Sequence, residues 1–590
     1  MVSSPQFVSK QIYVSTRFLR SQPGQGGESL LSFYFFVFFF IFIFWKTSSV
    51  FAQGTPPSGA GPEVIEMKAK EKAEKETAPT APVPLPETIR PEERPQPEVP
   101  FYIEKINVEG NTIIPQAELD LFLKKFEGRE VTYSELKQAC HLIEEMAYRR
   151  GYLSYCNIPP QKIENKEVTL KLIVARMGAL HIEGARYSRE KKLKSYWTIP
   201  FGTPLRYNQM QAALAQLNSN PDRVVRSILR PGQAPETSDV YLKVEDHFPI
   251  HVSASYDNES IKLFDKKRAG FNLRHNNLLG LDDIFVVGAT VGKDFSALYS
   301  QYLLPITNFG TKLLVNASGA KVDPKKEFAS LGIKGTSQTY GVSFLQNVLR
   351  TDRFSFDLST GLTAKEKKTR TLNVATVKDS LREFSLGGNI QTFDDESGRL
   401  KIGEDLCYGK AVHPKTELLS RQADFSFFKY NYSLERFQHL AYQTNGMFRI
   451  NGQLSGDKLT PEEEVFLGGA STVRGFPESD YGADKALIAN LEYWVPFFFI
   501  PEDWTWPGVH ERIRNQINLF GFFDYGWGRL NQPSTTEVAS RTMEGAGAGI
   551  SINFGKDASG RIQWGVPIGG TRPLTEHSKH QIYFDFRVDY

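Results

Sequence analysis

The spacing of apolar and polar residues changes character along the chain. Between residues 101 and 246, short alternating segments are separated by segments with apolar residues three and four apart. Alternation predicts half-buried strands, and the wider spacing predicts amphipathic helices. After Phe248 the helical spacing disappears and the alternation continues. The chain is therefore predicted to contain an α+β region followed by a long all-β region.

The α+β region opens with a unit at residues 101–176. Its predicted elements are a strand at Tyr102–Glu109, helices at Pro115–Phe126 and Thr132–Arg150, and strands at Leu153–Ile158 and Val168–Val174. Thr132, with Glu135 three residues later, predicts a capping box on the second helix. A second unit at residues 177–246 repeats the order. Its elements are predicted at Ala179–Glu183, Ser188–Tyr196, Asn208–Asn218, Val224–Leu229 and Tyr241–Val244. Units of this kind often bind another chain along an edge strand.

The all-β region, residues 247–590, alternates as membrane-spanning strands do. Its last nine residues are the clearest case, with one mainly aromatic and aliphatic face and one mainly polar face. The first face holds Ile582, Phe584, Phe586, Val588 and Tyr590, and the second holds Tyr583, Asp585, Arg587 and Asp589. At about 21 residues for each strand with its connection, the length predicts a transmembrane β-barrel of about 16 antiparallel strands. The alternative is a soluble β-sandwich, whose strands also alternate.

The segment before residue 101 is predicted to hold targeting and linker sequences. Leu30–Trp45 is apolar, follows basic residues and precedes small residues up to Ala52, so residues 1–52 are predicted to be a signal peptide. A retained anchor helix is the alternative, although the apolar run is short against the ~20 residues that span a bilayer. Residues 53–100 are rich in Pro, Glu, Lys and Ala, which predicts a linker. Within the linker, residues 63–77 are good helix formers and predict a short detachable helix.

Composition argues against several function classes. A net charge of +3 does not indicate nucleic-acid binding, and a mean hydropathy of -0.35 excludes a bundle of apolar membrane helices. Three scattered cysteines cannot form a disulfide framework. Cys140 and Cys156 could pair if a helix and a strand bring them together, but we favour two small buried hydrophobes. Gly545–Gly549 lacks the spacing of a phosphate loop and is expected to thin one strand face beside bulky neighbours. We predict no metal site, no cofactor, no nucleotide and no enzymatic activity.

Leu467–Phe476 is an unusual segment because it combines several glycines with one arginine. Gly468, Gly469 and Gly475 permit positive φ, so the loop can fold tightly inward. Arg474 would then need a carboxylate, because an unpaired guanidinium is expensive to remove from water. The alternative is a solvent-exposed hairpin loop with a solvated arginine.

Asp524 is the best partner for that arginine in the sequence. Strand geometry over Gly521–Gly528 places Phe522, Asp524 and Gly526 on one face, and Phe523, Tyr525 and Trp527 on the other. The second face suits lipid, so Asp524 is expected to face the lumen. A bidentate pair of arginine and aspartate would supply both strength and geometry. The alternative is that Asp524 is one of many polar lumen residues.

Two tandem β-α-α-β-β units followed by a β-only barrel resemble the two-partner secretion transporters of the hemolysin-activator type, with their POTRA domains and outer-membrane barrel. Similar motifs in the α+β units are Val108–Thr112, Tyr148–Tyr152, Ile158–Gln161 and Leu229–Gly232. Similar motifs in the barrel are Tyr256–Asn258, Asn276–Asp283, Val473–Phe476 and Phe522–Gly526. The resemblance covers about residues 101–590. Trp494 departs from it, because the wider superfamily often has a basic residue at that position.

The resemblance implies an outer-membrane translocator. Its POTRA domains would lie in the periplasm and bind an unfolded exported partner, which then passes through the barrel to the cell surface. The sixth extracellular loop would fold into the lumen and lock there. The lock would join Val473, Arg474, Gly475 and Phe476 to Phe522, Asp524 and Gly526. Client binding would involve Leu153, Tyr155, Asn157, Pro159, Pro160 and Gln161.

The resemblance also implies a set of partners. They are a secreted client protein, large and β-helical, the outer-membrane lipid, and the barrel-assembly machinery for the chain's own insertion. The helix at 63–77 would plug the pore, and client folding outside the cell would supply the free energy. Two alternatives share parts of this architecture. One is an insertase for other barrels, which usually has more POTRA domains, and the other is a solute porin with periplasmic binding modules.

Overall fold

The computed structural model describes residues 87–88 and 99–590, apart from 164, 324–333, 352, 372–373, 395–397, 413–418, 502, 506–511, 556 and 577. The predicted signal peptide at 1–52 and the predicted helix at 63–77 lie outside the described residues. Among the helices of the described residues, none combines the length and the apolarity needed to cross a membrane.

The first α+β unit packs two helices against a small mixed sheet. Before it, β1 is Glu87–Thr88. The unit's elements are β2 (Phe101–Ile103), β3 (Lys105–Glu109), α1 (Gln116–Leu123), β4 (Arg129–Val131), α2 (Tyr133–Arg149), β5 (Ser154–Asn157) and β6 (Glu167–Val174). The main sheet has the order β3-β6-β5, and β2 pairs with β4, a short strand that the sequence did not predict. The predicted capping box of α2 is confirmed: Thr132 Oγ1 accepts from the Glu135 amide, and the Glu135 carboxylate accepts from the Thr132 amide.

A disulfide joins α2 to β5 in this unit. Cys140 and Cys156 are bonded, with their Cα atoms 5.2 Å apart. Our preference for two unpaired buried cysteines is therefore wrong. Both residues are indeed buried in the core of the unit, but the packing of α2 on the sheet places them at bonding distance, which a spacing of 16 residues does not predict. The bond ties an edge strand to the longest helix of the unit.

The second α+β unit has the same architecture. Its elements are β7 (Arg176–Glu183), α3 (Glu190–Tyr196), α4 (Tyr207–Leu217), β8 (Arg223–Pro231) and β9 (Thr237–Asp246). The sheet order is β1-β8-β9-β7, because β1 adds to the edge in parallel with β8, pairing Glu87 with Ile228 and Thr88 with Leu229. The linker thus contributes one short strand to this sheet.

Within the described residues, sixteen antiparallel strands form a closed barrel in which β10 pairs with β27, and the predicted number of strands is confirmed. The first eight are β10 (Ile250–Asp257), β11 (Arg268–His275), β12 (Ile284–Val291), β13 (Phe295–Pro305), β14 (Thr311–Val322), β15 (Lys334–Arg350), β16 (Phe354–Thr371) and β17 (Val374–Phe393). The others are β18 (Arg399–Ala411), β19 (Ser426–His439), β20 (Asn445–Ser455), β23 (Lys485–Pro496), β24 (Ile517–Arg529), β25 (Ser540–Phe554), β26 (Ala558–Ile568) and β27 (Gln581–Asp589). A short helix, α5 (Ile513–Gln516), precedes β24.

Alternation along each strand separates a lipid face from a lumen face. On β15 the even-numbered residues Tyr340, Val342 and Phe344 are exposed, whereas Ser337 and Thr339 are buried toward the lumen. We call the end from which β10 leaves the second unit the near end, and the opposite end the far end. Residues 456–484 connect β20 to β23 at the far end, and we call them the lumen loop. The lumen loop contains the hairpin of β21 (Val465–Leu467) and β22 (Tyr481–Ala483).

Buried polar contacts fix the second unit to the near end of the barrel. Arg223 donates two hydrogen bonds to Asp282, from Nη1 to Oδ1 at 2.7 Å and from Nη2 to Oδ2 at 2.8 Å. Asn276 Nδ2 donates to Asp222 Oδ2 at 2.8 Å. Asp282 and Asn276 belong to the turn between β11 and β12, so the orientation of the second unit is set by that turn.

Candidate functional site

The lumen loop turns inward at glycines whose backbone has positive φ. The angles are 102° at Gly468, 108° at Gly469 and 97° at Gly475. At Gly475 a side chain is excluded twice, since the conformation is strained for an L residue and an added Cβ would lie 2.6 Å from the carbonyl carbon of Val566 on β26. The loop backbone therefore lies directly on the barrel wall beside Arg474.

Asp524 on β24 holds Arg474 in three places. The backbone amide of Arg474 donates to Asp524 Oδ2 at 2.9 Å, Nε donates to the same oxygen at 2.7 Å, and Nη2 donates to Oδ1 at 2.7 Å. Both side chains are buried, with Arg474 2% and Asp524 0% exposed. The structure thus brings the two residues together in the bidentate geometry that gives arginine and carboxylate pairs their strength and direction.

A second carboxylate completes the coordination of Arg474. Nη1 donates to Glu492 on β23 and, at 3.0 Å, to Gln563 Oε1 on β26. Glu492 also accepts from Arg561 Nη2 at 2.8 Å. Two arginines and two carboxylates therefore form a neutral cluster, which is the condition under which buried charges are tolerated.

Polar groups of the wall bind the loop backbone around Arg474. Asn490 Nδ2 donates to the carbonyl oxygen of Thr472 at 2.6 Å and to Asp524 Oδ1 at 2.8 Å. The hydroxyl of Tyr583 accepts from the Gly475 amide at 3.2 Å and donates to the Phe476 carbonyl oxygen. These bonds replace the water that the loop loses on entering the lumen.

Aromatic rings cover both arginines of the cluster. The guanidinium carbon of Arg474 lies 3.6 Å from the ring centroid of Phe522, and that of Arg561 lies 4.3 Å from Phe520 and 5.1 Å from Trp494. Cation and ring attract each other more strongly when both are shielded from water. Trp494 thus contacts the guanidinium of Arg561, and the second basic contact of the cluster comes from β26.

Glycines on the wall make room for the loop. An added Cβ at Gly526 would lie 2.6 Å from Val473 Cγ2, one at Gly565 would lie 2.7 Å from the Gly475 nitrogen, and one at Gly545 would overlap the carbonyl oxygen of Arg474. The expectation that Gly545–Gly549 thins a strand face beside bulky neighbours is confirmed. Val473 and Phe476 are fully buried in an apolar cluster with residues of β21 to β23.

A second group of contacts holds the base of the lumen loop against the opposite wall. Glu463 accepts from Lys365 Nζ on β16 at 2.7 Å and from Lys429 Nζ on β19 at 2.6 Å. The two neighbouring glutamates also pair with cations. Glu462 lies 3.6 Å from Lys367, and Glu464 accepts a hydrogen bond from Arg421. The loop is therefore anchored at its tip by β23, β24, β26 and β27, and at its base by β16, β19 and the Ser420–Gln422 turn.

The client-binding candidates lie around β5, the edge strand of the first unit. Tyr155 is exposed, and Asn157 is half-buried. Leu153 instead packs against the core of the second unit. Pro160 is exposed and Pro159 is half-buried.

Gln161 extends the pairing of β6 beyond β5. Its Nε2 donates to the Thr169 carbonyl oxygen and its Oε1 accepts from the Thr169 amide, both at 2.8 Å. This carboxamide therefore completes the sheet, in addition to any contact with a partner.

The sequence analysis missed Glu492, Gln563, Tyr583 and Arg561. Glu492 could have been found, because it lies two residues from Asn490 on the same face of a predicted strand. The other three residues lie on β26 and β27, and closure of the barrel brings them beside the lumen loop. Gln563 is separated from Arg474 by 89 residues and Tyr583 from Gly475 by 108, so local sequence does not indicate that they meet.

Comparison with known proteins agrees with this architecture. The model of a family described as haemolysin secretion/activation protein ShlB/FhaC/HecB matches residues 236–552, and the model of the ShlB-type POTRA domain matches residues 101–174. The heme/hemopexin transporter protein HuxB of Haemophilus influenzae strain 86-028NP is 22% identical over 504 residues, covering 80% of this chain and 84% of HuxB. The outer membrane transporter CdiB of Dickeya dadantii strain 3937 is 21% identical over 477 residues, covering 77% of this chain and 80% of CdiB.

Solved structures show the same fold. CdiB from Escherichia coli has a TM-score of 0.66 at 20% identity, and the match covers 92% of this chain and 100% of CdiB. CdiB from Acinetobacter baumannii has a TM-score of 0.62 at 14% identity, with the same coverage. BamA from Haemophilus ducreyi lacking POTRA domains 1–3 has a TM-score of 0.52 at 14% identity, covering 83% of this chain.

Proposed function

The chain belongs to the haemolysin secretion/activation protein family, ShlB/FhaC/HecB, and we propose that it carries a partner protein through its barrel to the cell surface. It is an outer-membrane transporter whose POTRA region lies in the periplasm, so the near end of the barrel is periplasmic and the far end extracellular. The observation that carries the proposal is a closed barrel with an extracellular loop bound to its inner wall. We divide the chain into POTRA domains at 101–176 and 177–246 and a barrel at 247–590, preceded by the signal peptide and the linker.

We propose that the exported partner first binds the first POTRA domain along β5. Tyr155 is exposed there, and an edge strand offers backbone groups to an extended chain. The amide of Cys156 is already occupied, donating to Glu144 Oε1 at 2.9 Å. A partner strand therefore competes with this carboxylate for the edge, and the disulfide between Cys140 and Cys156 keeps the edge in place.

We propose that the cluster around Arg474 holds the lumen loop during the resting state. Asp524 and Glu492 neutralise the two arginines, so the loop tip is stable in a site that excludes water. Removing one partner of such a buried pair costs about 3–5 kcal/mol. The ion pairs of Glu463 with Lys365 and Lys429 hold the loop base independently of the tip.

We propose that export through the barrel uses no nucleotide and that folding of the partner supplies the free energy. Folding of the partner outside the cell favours outward transport, because the folded partner can no longer pass back through the barrel. As the resemblance implies, we propose a large β-helical client, and insertion of this chain itself by the barrel-assembly machinery. The helix predicted at 63–77 remains the candidate plug.

The experiment produces this chain together with a candidate partner protein and measures export of the partner when residues 101–176 are deleted from the otherwise full chain. We expect the partner to be lost from the medium while the barrel still shows heat-modifiable migration in gels. Normal export by the deletion variant would contradict the role of the first POTRA domain. A general fall of other outer-membrane barrel proteins would instead indicate an insertase.

A further inference from the structure

The periplasmic half of the lumen wall carries a group of cations, which we call the basic face: Lys312, Arg350, Arg399, Lys401 and Arg449. Strand register places them on the lumen side. Lys401 lies directly between Gln391 and Glu435, and Glu435 lies directly opposite Arg449. Arg350 pairs with Ser355, two residues from Asp357, so that Asp357 and Arg350 share a face.

Carboxylates neutralise the basic face only in part. Glu435 is shared by Arg399 Nη2 at 3.1 Å and Arg449 Nη2 at 3.2 Å. Asp357 accepts a hydrogen bond from Asn347 Nδ2 at 2.7 Å. Considering the part of the chain that the structure describes, no carboxylate lies within 4.0 Å of Lys312, Arg350 or Lys401. Within the described residues, three of the five cations therefore have no carboxylate at ion-pair distance.

The extracellular half of the lumen is balanced by comparison. Lys365 pairs with Glu383 and Glu463, and Lys429 pairs with Glu463. These lysines hold the lumen loop in place, whereas the cations of the basic face hold no part of it. Cations that share one lumen wall repel each other more strongly than in bulk water, because the protein wall has a low dielectric constant.

The basic face opens beside the second POTRA domain. Ser195 Oγ donates to Asn308 Oδ1 at 3.3 Å, and Asn308 belongs to the turn from which β14 and Lys312 rise. A chain that leaves the POTRA domains for the barrel therefore meets Lys312 and Arg350 first, and Lys401 and Arg449 next along the wall. A groove lined by one sign of charge concentrates ligands of the opposite sign.

We propose that the basic face binds an acidic, extended segment of the exported partner as it enters the barrel. The proposal rests on the proposed export function and names the chemistry of its substrate. Backbone hydrogen bonding at β5 is indifferent to side chains, whereas the basic face selects for Asp and Glu. Binding at β5 would thus depend on the partner's backbone, and binding at the basic face would depend on its acidic side chains.

The test measures the binding of fluorescent twelve-residue peptides to the full chain in nanodiscs. The peptides are rich in Glu, Gln or Lys and otherwise identical. We expect the Glu peptide to bind most tightly and its affinity to fall as salt rises. The variant K312Q/R350Q/K401Q should weaken Glu-peptide binding by about tenfold or more. The control K321Q/K378Q/K410Q removes the same charge from exposed positions on outward faces, and should change binding less than about twofold.

Equal binding of the Glu and Lys peptides would overturn the proposal, as would equal weakening by both triple variants. Heat-modifiable migration must show that each variant is inserted. Export by the wild type is measured in parallel, so that the two proposals can fail separately. A wild type that exports its partner without binding the Glu peptide refutes the basic face alone. A wild type that exports nothing refutes the export function.

Discussion

Replacing Asp524 by Ala should detach the tip of the lumen loop. Asp524 accepts three hydrogen bonds from Arg474 and one from Asn490, and its side chain is fully buried. Leaving Arg474 with Glu492 as its sole carboxylate costs about 3–5 kcal/mol. That cost multiplies the ratio of detached to attached loops by about 10² to 10⁴.

Trypsin offers a direct assay of that ratio, because it cleaves after Arg474 and this residue is 2% exposed. Intact cells are treated with trypsin from outside, and cleavage at Arg474 is followed by mass spectrometry. When opening and closing are fast relative to cleavage, the rate follows the population of open loops. We expect cleavage of D524A to be faster by at least about a hundredfold, together with loss of partner export while the barrel remains inserted.

The matched control is D503N, since Asp503 is an exposed carboxylate on the periplasmic connection. It should leave both cleavage and export unchanged. Cleavage of D524A at the wild-type rate would refute the energetic reasoning. Faster cleavage with normal export would show that the loop is held by Asp524 but that its attachment is not needed for export.

Three further outcomes are expected. E463Q removes the charge shared by two lysines at the loop base and should lower the free energy of unfolding by about 1.5–3 kcal/mol, seen as a lower temperature of heat-modifiability. G545A should displace the loop, because its methyl group overlaps the Arg474 carbonyl oxygen, at a cost of about 1–3 kcal/mol, read from trypsin cleavage as above. Burial tends to raise the pKa of Asp282, but hydrogen bonds from Arg223 outweigh it and hold the pKa below its ordinary value of about 3.9. The contact between the second unit and the barrel is therefore fully stabilised above the ordinary pKa of Asp282, and it weakens as the pH falls through the lower pKa of the folded state. D282N should loosen this contact already at neutral pH. Faster hydrogen exchange in the second unit would show the loosening.

Local pattern was enough to predict the architecture, because period-2 alternation and strand length are properties of neighbouring residues. The same alternation placed Asp524 on the lumen face, and the need of a buried arginine for a carboxylate then selected it. Arg561 was beyond this reasoning, since its meeting with Glu492 depends on how β26 is placed relative to β23 in the closed barrel. The pairing of Cys140 with Cys156 likewise depends on how α2 packs on its sheet, and their spacing carries no information about that.

The charge balance of the site depends on a second cation beside Glu492. The second cation that meets Glu492 is Arg561, from a strand three positions further around the barrel than β23. The indole of Trp494 lies against its guanidinium and donates from Nε1 to Glu492 Oε2 at 3.0 Å. Arg474 and Arg561 together match the charges of Glu492 and Asp524. Without Arg561 the buried cluster would carry one unbalanced carboxylate, so its neutrality depends on Arg561 as well as on Arg474.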